Sequence, residues 1–139
     1  MRCIPPCPAN MRIDMQQDDR ETGTASELQM LRDRLRAFAD ERDWDQFHTP
    51  KNLAMALMVE TAELLEHFQW LTPDQSCNLA EKSRAEVREE LADVLLYLVR
   101  IADKLKVDLL EAALSKMEKN AQKYPADIVR GSAKKYNEY

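Results

Sequence analysis

Two pairs of carboxylates stand where a helical sequence has least use for charge. Glu60 and Glu63 lie one turn apart within PKNLAMALMVETAELLEHFQW, and Glu90 and Asp93 repeat that spacing within EVREELADVLLYLVRIADK. On a helical wheel Glu60 falls on the face of Leu53, Leu57 and Leu64, inside the apolar stripe. Glu63, Glu90 and Asp93 border the stripes of their helices, on the flank that also carries Tyr97. An ionised carboxylate buried alone is very costly, so such groups are paired with cations or gathered round a metal. Glu60 has no Lys or Arg on its own helix after Lys51, which removes the local ion-pair explanation. For Glu66, Glu86 and Glu89 a solvated face is the better reading. Acids converging from two facing helices repel one another unless a divalent ion lies between them. All-oxygen ligands suit Mg²⁺, with Mn²⁺ as a substitute, over iron or zinc. A di-iron bundle uses Glu-x-x-His on two helices. Here His67 follows Glu63 by four residues, and the helix of Glu90 has no histidine.

Four helices must position these acids. Ser26 with Gln29 has the pattern of a capping box and predicts a first helix to about residue 43. Thr49-Pro50 opens a second to about Trp70, because Thr caps and Pro suits the first helical position. Residues 72–82 read as a loop, and Ser83 with Glu86 predicts the start of a third helix to about Lys106. Asp108 with Glu111 opens a fourth that ends near Tyr124, before Pro125. The domain organisation is thus a leader over 1–25, rich in Pro and polar residues, a helical domain over 26–125 and a polar, basic tail over 126–139. Met11 and Met15 are alternative starts within the leader, and the tail is expected to be extended or partly ordered. Helices two and three are apolar on more than one side, through Met55, Met58, Leu65, Leu95, Leu96 and Val99 beyond their main stripes. Such helices need cover that four helices cannot supply, so the expected state is a homodimer or a pair of dimers.

Composition narrows the chemistry further. Only two glycines occur among 139 residues, Gly23 and Gly131, and neither lies in a periodic segment. A glycine-rich phosphate loop is therefore excluded, and phosphate must be held through side chains and metal. A net charge of −5 argues against a nucleic-acid partner, which needs a basic surface. No apolar run approaches the roughly 20 residues of a membrane span, so no membrane partner is expected. The three cysteines, Cys3, Cys7 and Cys77, are odd in number and lack zinc-ligand spacing, which fits a reducing cytoplasm.

Glu60-x-x-Glu63 followed by Glu90-x-x-Asp93 resembles the metal signature of the MazG-like all-α NTP pyrophosphohydrolases. RDWDQFHTPKNLAMAL (42–57), ELLEHFQW (63–70), EELADVLLYLV (89–99) and VDLLEAALSKMEKNAQKYP (107–125) look like the dCTP pyrophosphatase branch of that family. The resemblance implies a four-helix MazG-like bundle, assembled from tight dimers into a tetramer. It implies Mg²⁺-dependent hydrolysis of a (deoxy)nucleoside triphosphate, dCTP or a modified dCTP, to monophosphate and pyrophosphate. By the same resemblance Glu60, Glu63, Glu90 and Asp93 hold metal. Trp44, Trp70 and Tyr97 match nucleotide-pocket positions, and Lys116, Asn120, Lys123 and Tyr124 match the segment near base and phosphates. Val59 and Ala62 replace small glycines of the family, and Leu35 stands where animal relatives carry a base-contacting His.

Hydrolysis between the α- and β-phosphates needs an activated water and relief of phosphate charge, both of which clustered metal ions supply. Glu63 is the candidate general base. Read alone, Trp44 and Trp70 are core or interface residues; with the resemblance they become stacking partners for a base. Lys116, Asn120 and Lys123 share a helix face, where the lysines alternatively offset the helix dipole. His48 reads as a turn residue, and Lys134 and Lys135 as a solvated tail. The rival readings are a relative cleaving another nucleotide and a non-catalytic helical oligomer that binds a nucleotide or a protein.

Overall fold

Helix starts follow the capping chemistry in most places. The computed structural model describes residues 26–132, so the leader and Lys134–Lys135 lie outside the described residues. In α1 (Glu27–Asp40) the Ser26 hydroxyl accepts from the Gln29 N–H at 3.3 Å, and the Gln29 amide oxygen accepts from the Ser26 N–H at 2.9 Å. This is the expected reciprocal box, which satisfies two N–H groups that the helix itself cannot. In α2 (Pro50–Glu66) Thr49 caps the N–H of Asn52 at 3.2 Å, with Pro at the first position. The α-helix stops at Glu66, and residues 67–70 continue only as turns.

Two expectations need correction here. Residues 72–82 are not simply a loop, since Thr72 and Gln75 form a capping box of their own and start α3 (Pro73–Cys77). Nor does Ser83 open the next helix. α4 (Glu81–Lys104) begins two residues earlier, with Ala80 at the N-cap and no side-chain cap, so Ser83 and Glu86 lie inside it. A capping pattern specifies a start only where the preceding backbone is extended, and that break falls at Ala80 (ψ 154°). Cys77 is disulfide-bonded.

α1 and α4 end in the same way. After α1, the Trp44 N–H donates to Ala39 O at 2.9 Å and the Asp43 N–H to Asp40 O at 3.0 Å, with Asp43 at φ 51°. After α4, the Val107 N–H donates to Ala102 O at 2.9 Å and the Lys106 N–H to Asp103 O at 3.1 Å, with Lys106 at φ 55°. Both are Schellman closures, made here by residues other than the usual glycine.

The described residues fall into two compact units, 26–108 and 109–132. In the first, α2 packs on α4 and α1 packs on α4. Ala39, Leu53, Val87, Val99 and Ala102 form the buried core, with Leu53 only 2% exposed. That core is small for its helices. Met55, Met58, Val59 and Leu65 on α2, and Leu91, Leu95 and Leu98 on α4, remain exposed. The second unit contains α5 (Leu109–Lys123) and α6 (Ala126–Val129), so the first residues of the expected tail form a helical turn after Pro125. No strand occurs among the described residues, in keeping with the all-α expectation. No helix among them is long and apolar enough to cross a membrane.

Candidate active site

The packing of α2 on α4 brings Glu60 to Glu90 and Asp93. One carboxylate oxygen from each lies within 4.8 Å of the others, and all three side chains are half-buried. Burial pushes the Glu60 carboxyl above its ordinary value, and the negative charges of Glu63, Asp93 and Glu90 push it the same way. No cation among the described residues is a cause of its shift. Tyr97 responds similarly: burial, then Glu60 and Asp93, raise its phenol, which therefore keeps its proton and stays a donor. Glu63 is exposed and lies outside the three-acid group, although its charge reaches Glu60. The reason is helical geometry, since a residue three further along α2 is turned about 60° away from the α4-facing side. Three of the four expected metal ligands thus converge, and the fourth flanks them.

Beside the acids is a cavity of about 210 Å³, lined by Leu35, Phe38, Trp44, His48, Leu53, Asp93, Leu96, Tyr97 and Arg100. It is largely apolar, with Asp93 shared between its wall and the acid cluster. Trp44 is fixed by edge contacts with Phe38 (ring centroids 5.8 Å apart, 73° between planes) and with His48 (6.4 Å, 64°). Arg42 stacks over the outer face of this group, 3.6 Å from the Phe38 centroid. Trp44 and Tyr97 therefore share one cavity, and Leu35 lines it too. Trp70 does not line it; at 86% exposure it stands free of its own unit. Lys116, Asn120, Lys123 and Tyr124 belong to the unit of α5, where the lysines are exposed, Asn120 and Tyr124 are partly covered, and the Tyr124 N–H donates to Asn120 O at 2.8 Å.

Sequence reasoning missed an ion-pair network at the other end of the cavity. Arg100, only 5% exposed, donates from Nη1 to Asp103 at 2.8 Å, from Nη2 to Asp45, and from Nε to His48 Nδ1 at 3.2 Å. Arg36 forks onto Asp103, and Lys104 also reaches Asp45. The Asp103 carboxyl is held below its usual range by Arg36 first and Arg100 next, and that of Asp45 by Lys104 first. Arg100 is the lone cation in the apolar run LLYLVRIA, a misfit of the same kind as Glu60 and a usable signal.

An all-α unit with a half-buried cluster of three carboxylates beside an apolar cavity is an arrangement that could hold a metal ion. The MazG-like family model matches residues 55–139, and the chain belongs to that family. It is similar to dCTP pyrophosphatase 1 of Mus musculus, with 51% identity over 103 residues, 73% of this chain and 61% of that protein. The Homo sapiens dCTP pyrophosphatase 1 is 50% identical over the same length and shares. The match thus spans about three-fifths of the length of these relatives. The crystal structure of a pyrophosphatase from Archaeoglobus fulgidus superposes with a TM-score of 0.70 at 45% identity, covering 75% of this chain and 97% of that one.

Proposed function

We propose that this protein hydrolyses a (deoxy)nucleoside triphosphate, with dCTP or a modified dCTP foremost, to the monophosphate and pyrophosphate. The observation that carries the reading is the convergence of Glu60, Glu90 and Asp93 on a cavity whose walls include Trp44 and Tyr97. The relatives' activity supports the choice of reaction.

The acids fit a hard divalent ion. They offer only oxygen, they lie close enough to share one, and the charge on Glu60 is relieved by no cation of the described chain. Glu60, Glu90 and Asp93, with Glu63 at the edge, would hold Mg²⁺, or Mn²⁺ in its place. When bound, such an ion offsets phosphate charge and lowers the pKa of a water. Glu63, exposed beside the cluster, accepts the proton of the water that attacks the α-phosphorus as the bond to the β-phosphate oxygen breaks. The protonated Tyr97 phenol, on the cavity wall with Asp93, would donate a hydrogen bond to the substrate. The cavity is below the usual ~300–1,000 Å³ of whole-ligand sites, so it suits the base, leaving the triphosphate on the acids. Trp44 closes on that base with its ring.

Trp70, Lys116, Asn120, Lys123 and Tyr124 complete the site as base and phosphate contacts, some of them from a neighbouring subunit. The exposed Met55, Met58, Val59, Leu65, Leu91 and Leu95 support a homodimer, and a tetramer of paired dimers, as the working form. The proposed role is removal of surplus or modified nucleotides in the cytoplasm. A nucleotide panel scored for pyrophosphate with product identification tests the reading. Mg²⁺-dependent release, greatest with cytosine nucleotides, is the expected result. Silence with every nucleotide would leave a non-catalytic helical oligomer instead.

A further inference from the structure

Arg100 is a buried cation on the wall of the cavity, yet its donors are turned to the protein. Asp103, itself 6% exposed in its side chain, takes Nη1, Asp45 takes Nη2, and His48 takes Nε. Arginine is always protonated and has no acceptor, so its Nε–H can only donate. The Nδ1 of His48 that receives it must therefore be unprotonated. A histidine with one nitrogen accepting in this way is neutral and carries its remaining proton on Nε2.

We infer that Arg100 is a positioning residue that, through a clasp with Asp45 and Asp103, locks His48 as a neutral Nε2–H donor on the cavity wall and so selects ligands that present an acceptor there. The inference rests on the proposed nucleotide reading and names what that site discriminates. A locked Nε2–H favours a carbonyl oxygen or an unprotonated ring nitrogen on the edge of a base. It rejects an amino or protonated ring nitrogen at the same place, because two donors would face each other and one would stay unsatisfied.

The groups facing His48 agree with this. Arg100 and Lys104 of α4 place positive charge against it, Asp45 of its own turn opposes them, and Asp93 and Tyr97 line the same cavity. Burial, then Arg100 and Lys104, hold the imidazole below its ordinary value despite Asp45. The clasp is also built to persist: Arg36 braces Asp103 from α1, and Lys104 braces Asp45.

The test uses the full-length protein labelled with ¹⁵N-histidine, which has only two histidines, His48 and His67, separated by H67Q. In the ligand-free wild type, His48 should show the Nε2–H tautomer at neutral pH and take up its second proton only at lower pH than His67 does in the same protein without H67Q. Arg100→Lys keeps the charge but loses the fork. It should release His48 to titrate, raise KM for the preferred nucleotide about tenfold, the scale of one hydrogen bond, and leave kcat within about twofold. Its KM should also acquire a pH dependence that the wild type lacks. A protonated Nδ1 in wild-type His48, or a His48 charged at neutral pH, would overturn the inference. So would an Arg100→Lys protein with unchanged tautomer and KM. If Arg100→Lys does not fold, Asp45→Asn, at a half-exposed carboxylate, loosens the same clasp and should move both readouts in the same direction. The tautomer is read without nucleotide, so a silent nucleotide panel would refute the enzymatic reading while leaving this result standing.

Discussion

α4 carries two acidic sites, and they are opposites. Toward its middle, Glu90 and Asp93 meet Glu60 with no compensating cation, and Glu60 is raised above its ordinary value. Toward its end, Asp103 pairs with Arg36 and Arg100 and is held low. Both sites are partly removed from water, so burial alone does not distinguish them. The distinguishing property is whether the chain supplies its own counter-charge. The balanced set supplies its own counter-charge, whereas the unbalanced set could be neutralised by a cation from solution, as the proposed function requires.

The largest expected break of this contrast is chemical. Glu60→Ala and Asp93→Ala should each lower turnover by about a thousandfold or more, the loss expected when metal-borne charge stabilisation fails. Circular dichroism should be unchanged and the metal-free Tm equal or higher, because a repulsion has been removed. Full activity in either variant would sink the metal assignment. Asp103→Asn should do the reverse, with the loss appearing in stability. Arg100 keeps Asp45 as a partner, so losing one of its two carboxylates should cost about 1–3 kcal/mol in a denaturant melt.

Metal sharpens the comparison next. Saturating Mg²⁺ at about a hundredfold over its Kd should stabilise the protein by about 2.7 kcal/mol, and chelation should remove that gain. The pH dependence has opposite signs at the two sites. Asp103 and Asp45 are depressed, so their contribution is complete above the ordinary carboxylate pKa and is lost as pH falls through the folded values. Glu60 is raised, so in metal-free protein its contribution is present at low pH and is lost as pH rises through its folded value. Stabilisation by Mg²⁺ should therefore grow as pH rises, measured as ΔTm with and without the ion. A metal effect independent of pH would contradict this. The smallest effect at the site itself is expected for Trp44→Phe, which keeps a ring in the cavity and should raise KM by no more than about tenfold, on the scale of one stacking contact.

Much of this was legible in the residues. The acids showed through because carboxylates on an apolar stripe conflict with helix periodicity, and α1 and α2 showed through because their cap residues, Ser26 and Thr49, are the extended residues at which each helix starts. Ser83 misled because a capping pattern is local, whereas the start of α4 depends on where the preceding chain breaks. The helical wheel put Glu60 inside the apolar stripe and Glu63 at its border, and in the packing of α2 on α4 Glu60 is the one that meets Glu90 and Asp93. The Arg100 clasp joins residues more than fifty positions apart, Asp45 and His48 to Arg100, and helical periodicity carries no such long-range pairing. Trp70 was grouped with Trp44 by motif, yet within its unit it touches the outside and not the cavity.

Asp43 and Lys106, the two left-handed residues that end α1 and α4, have a consequence for the unfolded chain. Each holds a conformation that a side chain disfavours by roughly 1–2 kcal/mol. Replacing Lys106 with Gly relieves that penalty but enlarges the ensemble of denatured conformers, so the net gain should be about 0.5–1 kcal/mol. A rise of a few degrees in Tm, with kinetics untouched, is the expected reading. A chain with almost no glycine is thus stiffer before it folds, and it accepts two bent helix ends as the counterpart of having fewer shapes to lose.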